Sequence, residues 1–288
     1  MWLALKDGNG DNKFQQKTDQ IAFHKSFIEV PTDSLYTLRL FNEELDFRAT
    51  RPRLLSGEKI AFGYEGDYKN MAIKITSETP PEFEHRITKD EKTDTLYYWY
   101  KPRLEVDSLL FNVSHINYEK DFTVRISEQK RDSLVIKAFP SGVINYNEDF
   151  KISGSTPFTN FDVSKITLMD KDSISVDFTT NFDTITNTYA FNFKRTEDNI
   201  YKMQVLPEAF TGFFDNKNDT LNYSVKTKKA SDFGYARFTL VNAKYPLILQ
   251  LTNNKGEVAD EQYVAEERTI NFFNLAPSFY YIRIIRRE

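Results

Sequence analysis

The segment Asp7-Gly8-Asn9-Gly10-Asp11-Asn12-Lys13, followed by Asp19, offers oxygen side chains at alternate positions. Calcium takes roughly six to eight oxygen ligands, and carboxylates and amides that alternate through a glycine-containing loop converge on one ion. The chemistry this implies is calcium binding by Asp7, Asn9, Asp11 and Asp19, with no other cofactor. An EF-hand loop has glycine sixth and glutamate twelfth, where this sequence has Asn12 and Thr18. The competing reading is a polar hairpin turn in which Asn and Gly supply positive φ.

Other chemistries are narrowed by what is missing. No cysteine occurs, which removes thiol nucleophiles, disulfides and zinc–thiolate sites together. His24, His85 and His115 lie far apart and in no metal-ligand spacing. No G-x-S-x-G elbow and no G-x-x-x-x-G-K-S/T loop occurs, and Gly8 and Gly10 do not complete a G-x-G-x-x-G. A carboxylate pair for glycoside hydrolysis stays open among 42 acidic residues, although solvated surface charge accounts for nearly all of them. The sequence reads as non-enzymatic.

Two further patterns suggest modification and binding. Asp-Ser/Thr followed by an aliphatic residue places acceptor hydroxyls at Ser34, Thr95, Ser108, Ser133, Ser173, Thr184 and Thr220. Composition alone gives about one or two such triplets. The pattern resembles the O-glycosylation sequon of exported Bacteroidota proteins; the competing account is a turn residue followed by a strand start. The row Tyr97-Tyr98-Trp99-Tyr100 sends alternate rings to opposite faces of a strand. Rings that face outward stack on sugars or pack on another protein, and the alternatives are interdomain packing or a strand buried on both faces. Phe213-Phe214 and Phe272-Phe273 pose the same question.

The elements that position these residues read as strands. Period-two alternation recurs in Ser34–Leu40, Phe122–Ile126, Thr188–Phe193, Tyr201–Val205 and Tyr280–Ile285. In Thr188–Phe193 it puts Tyr189, Phe191 and Phe193 on one face. Half-buried alternation separated by Asp, Asn, Ser and Pro clusters is the signature of antiparallel sandwiches. Helical spacing is nearly absent, and Pro207-Glu208-Ala209-Phe210 is the clearest place for a single helical turn. The fold class is all-β: multi-domain antiparallel β-sandwiches.

A chain of 288 residues has room for two or three such domains. With 25 Phe and 16 Tyr it is far too aromatic for a disordered chain. No apolar run reaches about 18 residues, so no transmembrane helix is expected. The 38 basic residues are scattered among 42 acidic ones for a net charge of -4, which argues against a nucleic-acid surface. No export signal opens the chain, and Trp2-Leu3-Ala4-Leu5 looks like mid-strand, so the natural N-terminus is expected upstream.

Val163–Leu168, Leu206-Pro207-Glu208-Ala209-Phe210, Asn218-Asp219-Thr220-Leu221 and Asp232-Phe233-Gly234 together resemble the bacterial Ig-like domains of the S-layer type found in Bacteroidota surface lipoproteins. Leu275–Arg283 is similar to the last strand of transthyretin-like modules, with Ser278 replacing a usual glycine. Trp2 to Lys13 looks like the tail of another copy, whose D-x-N-x-N/D-G-K loop aligns Asp7, Asn9, Asp11 and Lys13. The resemblance implies four segments. Residues 1–50 end a transthyretin-like module, 51–138 form a sandwich, 139–230 an Ig-like domain, and 231–288 a transthyretin-like module, truncated or altered. It also implies an exported, non-enzymatic protein of the cell surface, held at the outer membrane by an upstream lipid anchor. Its expected partner is an outer-membrane protein or another surface lipoprotein of an assembly or secretion complex, with no nucleic acid. The alternative is carbohydrate binding through Tyr97 to Tyr100.

Overall fold

The computed structural model describes residues 3–8, 10–24, 26, 27, 36, 38–146 and 148–286. The chain is all-β, and it divides into two compact units, Met1–Ser133 with Thr184–Asn187, and Leu134–Asp183 with Thr188–Glu288.

In the first unit β1 (Leu3–Lys6) pairs antiparallel with β2 (Gln20–Phe23), and Ile21 bridges to Phe41. The alternating stretch 34–40 falls partly outside the described residues, and its described part, Tyr36 with 38–40, joins no strand. A sandwich follows, built from β3 (Arg48–Ala49), β4 (Arg53–Ser56), β5 (Lys59–Glu65), β6 (Ala72–Ile75), β7 (Glu84–Lys89), β8 (Thr95–Lys101), β9 (Ser108–His115) and β10 (Tyr118–Arg125). One sheet has the order β3-β5-β8-β7 with β4 also on β5, and the other is β10-β9-β6. Alternate residues of β9, Leu109, Phe111 and Val113, point into the core and meet Phe62 and Tyr98 from the facing sheet. Phe111 packs edge-on against both rings, with centroids 5.2 Å apart in each case. Each such buried side chain stabilises the fold by about 1.5–3 kcal/mol relative to exposure.

The second unit opens with β11 (Ile136–Phe139), β12 (Gly142–Val143), β13 (Phe150–Gly154), β14 (Phe158–Phe161), β15 (Ile166–Met169), β16 (Phe178–Asp183), β17 (Thr188–Phe193), β18 (Ile200–Val205), β19 (Phe210–Gly212) and β20 (Leu221–Lys226). Sheets β11-β13-β17-β16 and β12-β20-β18-β15 enclose a core that includes Phe150, Phe191, Tyr201, Met203 and Phe210. In β18 burial alternates without exception, so Tyr201, Met203 and Val205 all face inward. Among the described strands only the short β12–β20 pair is parallel. A third core lies between β21 (Gly234–Phe238) with β24 (Ile270–Leu275) and the sheet β23-β22-β25, formed by β22 (Leu247–Thr252), β23 (Val258–Val264) and β25 (Tyr281–Arg286).

Hydrogen bonding places β3 with the first sandwich and β11 with the sheet of β13. The second compact unit begins at Leu134, a few residues before the junction expected at 138. Pro207 opens a turn rather than a helix, because Ala209 and Phe210 are drawn into the core and Phe210 begins β19. The described helices are two single 3₁₀ turns, Val163–Lys165 and Ala230–Asp232. No described helix is long and apolar enough to cross a membrane.

Candidate functional site

The loop between β1 and β2 ties itself together with its own carboxylates. Asp7 accepts from the Gly10 and Asn12 amides, each at 2.7 Å. Asp11 accepts from the Lys13 amide at 2.8 Å and the Gln15 side chain at 2.6 Å. Asp19, 1% exposed, accepts from the Gly8 amide at 3.0 Å and the Gln15 amide at 2.8 Å. The Gly8 and Gln15 amides hold the Asp19 carboxyl below the usual carboxylate range, outweighing its desolvation. Both oxygens of each of these three carboxylates thus already accept a hydrogen bond. Asn9 lies outside the described residues, and among the described residues no three His, Asp or Glu side chains converge as a metal cage. This is the geometry of a turn stabilised by Asx-type bonds. Asp19→Ala is expected to speed hydrogen exchange at the Gly8 and Gln15 amides while β8 and β9 stay protected. Peptide-resolved exchange mass spectrometry measures this.

The aromatic row does not form a platform. Tyr98, Trp99 and Tyr100 are all buried, which corrects the binding platform weighed at Tyr97 to Tyr100 in favour of its alternative, a strand buried on both faces. Tyr98 and Tyr100 enter the sandwich core. On the other face Trp99 donates to Thr88 Oγ1 at 2.9 Å, and Lys59 Nζ stands 4.2 Å from the Tyr97 ring centre and 4.5 Å from that of Trp99. Asp132 holds Lys59 in place at 3.3 Å. Tyr97, half-buried, donates to Asp90 Oδ2 at 2.6 Å; burial first, then Asp90, pushes its phenol up to about 12.

Next to Lys59 in the chain stands a group that sequence patterns do not single out. The Glu58 side chain is 0% exposed and receives Arg131 through Nε at 2.8 Å and Nη2 at 2.9 Å. Arg103 Nε adds a third bond at 2.8 Å. Burial pushes the Glu58 carboxyl up, and the bonds from Arg131 and then Arg103 more than reverse it, so the group is held below its ordinary value. Gly57, at φ +23°, leaves no room for a side chain, since an added Cβ would stand 2.8 Å from Arg131 Cα. Nothing in sequence spacing distinguishes Glu58 from other acidic residues.

The three histidines remain apart and packed on rings. His24 lies edge-on to Tyr36, His85 stacks on Tyr98 at 4.9 Å, and His115 stacks on Phe47 at 4.2 Å. Desolvation, then Arg86, lowers the His85 pKa. An open groove of about 690 Å³ carries Glu105, Asp107 and Glu128 beside Arg103, and none of the three histidines lines it.

Of the acceptor hydroxyls, Ser108, Ser133, Ser173, Thr184 and Thr220 are exposed, Thr95 is half-buried, and Ser34 lies outside the described residues. Thr95 and Ser108 each begin a strand, and Thr220 immediately precedes β20. Ser173 occupies a left-handed turn position at φ 61°. Phe213 is buried, as is Phe272, whereas Phe273 is exposed.

No family profile and no curated protein matches the sequence. Solved structures do. Titin domains A168–A170 are 11% identical, covering 83% of this chain and 90% of that one at a TM-score of 0.22. SGBP-B of a Bacteroides ovatus mixed-linkage glucan utilization locus, in complex with a mixed-linkage heptasaccharide, is 11% identical, covering 87% and 79% at a TM-score of 0.26. Titin domains I67–I69 are 12% identical, covering 83% and 96% at a TM-score of 0.20. Likeness at this level carries nothing about function.

Proposed function

We propose that this chain is part of a non-enzymatic cell-surface protein whose β-modules space and present interaction surfaces, as an accessory lipoprotein of an outer-membrane assembly or secretion complex. The observation that carries this reading is that Glu58, Asp19 and His85 are each engaged in holding the fold. Glu58 is clamped by two arginines, Asp19 caps amides, and His85 stacks on a core tyrosine. Three apolar cores are built from successive parts of the chain, each with its own exposed faces to present. Cross-linking and affinity purification of the full-length protein from its native membrane tests the reading. A reproducible outer-membrane partner supports it, and recovery only as a free monomer overturns it.

Export into a glycosylating compartment is the second half of the proposal. Exposed hydroxyls at Ser108, Ser133, Ser173, Thr184 and Thr220 support it, since a transferase needs an accessible acceptor. Intact-mass and glycopeptide analysis of native protein is expected to find glycan on these five in preference to Thr95, which is half-buried and accepts from the Thr93 hydroxyl. Unmodified peptides at all of them remove this half.

A further inference from the structure

The outward face of β23-β22-β25 is built differently from an ordinary solvated sheet. In β22 the residues Leu247, Leu249 and Leu251 face the core, which turns Ile248, Gln250 and Thr252 outward. Register then sets three rows across the sheet. Ile248 lies between Tyr263 and Ile285, Gln250 between Glu261 and Arg283, and Thr252 between Val258 and Tyr281. The middle row is one hydrogen-bonded chain: Gln250 Nε2 donates to Glu261 Oε2 at 2.7 Å, and Arg283 Nε donates to Gln250 Oε1 at 2.7 Å. Gln250 is only 6% exposed, so its amide is fixed from both sides. Tyr263 and Tyr281 flank that row diagonally and are 61% and 56% exposed.

We propose that this face binds a neutral oligosaccharide. A pyranose has an apolar C–H face, which stacks on an aromatic ring, and a rim of hydroxyls, which takes planar donors and acceptors in pairs. Here two exposed phenol rings bracket a planar amide, a carboxylate and a guanidinium. Most of the guanidinium's five N–H donors and most carboxylate lone pairs are left over after the Gln250 bonds. Two strand spacings and four residues of rise separate the tyrosine Cα atoms by about 17 Å, the reach of a short glycan rather than a single sugar. Glu261 and Arg283 cancel in charge across Gln250, so the row favours a neutral chain over an anionic one. The row is pre-ordered by its own bonds, which lowers the entropy cost of binding.

The test is calorimetric titration of the full chain with neutral hexasaccharides of glucose, xylose, mannose and galactose, and with hexagalacturonate as the anionic probe. At least one neutral probe is expected to bind. Tyr263→Ala and Tyr281→Ala are each expected to weaken it about tenfold or more, with Phe retaining most affinity at either site. Arg283→Gln is expected to weaken it as well. Tyr235→Ala, on the outward face of the opposite sheet, is the control and should change nothing. Thermal unfolding of each variant shows that the module still folds. No neutral binding, binding of hexagalacturonate alone, or an unchanged affinity in the Tyr263→Ala/Tyr281→Ala double variant overturns the proposal. Capture of an outer-membrane partner by that double variant reads the accessory role separately, so either idea fails alone.

Discussion

Replacing both Arg103 and Arg131 with alanine is expected to destabilise the first sandwich by about 3 kcal/mol at neutral pH, and adding Glu58→Met is expected to restore most of that loss. The arginines are 39% and 42% exposed, whereas the carboxylate between them is fully buried, so the cost falls on the carboxylate. Stripped of its partners, Glu58 is an uncompensated charge out of water. Methionine removes the charge and keeps the volume. The pH dependence follows from the sign of the shift. In the native protein the Glu58 pKa lies below its unfolded value of about 4.3, so its stabilisation is complete above that value and fades as pH falls through the folded pKa. In the arginine-free variant burial alone acts and raises the pKa, so its deficit shrinks as the medium is acidified. Urea unfolding at pH 7 and pH 4 measures both curves. A constant deficit between them would mean that the arginines act through packing of their stems rather than charge. The clamp also organises backbone: Arg103 donates to the Gln129 carbonyl at 2.8 Å, and the Gly57 amide to that of Lys130 at 3.1 Å.

Period-two alternation located β10, β17 and β18 because each has one face on a core, and burial is then written into every second residue. β8 defeated the same logic. Leu96, Tyr98 and Tyr100 follow the alternation, but Trp99 on the opposite face is also buried, with Thr88 across β7 and Lys59 beside it. Lys59 is held by Asp132, which lies 73 positions away, and a local pattern carries no information about such a partner. The Asp/Asn loop was recognisable as a loop, yet composition alone does not say whether its carboxylates point to an ion or to the loop's own amides. The outward row of Gln250, Glu261 and Arg283 needed strand register, which places residues from three strands side by side. Tyr263 and Tyr281 gain their meaning only from that row.

The second large effect is expected at Asn218, where two stretches that stood out in the sequence meet. Its side chain sits under the turn Leu206–Phe210: Oδ1 accepts from the Phe210 amide at 2.7 Å, and Nδ2 donates to the Leu206 carbonyl at 2.9 Å and the Asp219 carbonyl at 2.7 Å. The backbone adds Glu208 N–H to Asn218 O at 2.9 Å. Glu208 takes φ 64°, a left-handed conformation that costs a residue with a Cβ about 1 kcal/mol or more, so the turn depends on outside support. The return is the burial of Ala209 and Phe210, both 0% exposed, in the first core of the second unit. Asn218→Ala strands a buried amide and two carbonyls, for an expected loss of about 3 kcal/mol. Asn218→Asp has the same shape but replaces a donor by an acceptor facing two carbonyl oxygens. It is therefore expected to be at least as damaging as alanine at pH 7, and to recover partly in acid as the new carboxyl regains a proton and one donor. Denaturant unfolding of the two variants at both pH values separates lost hydrogen bonds from lost volume. If Asp is as stable as the native residue at pH 7, the amide's two donors are not what holds the turn.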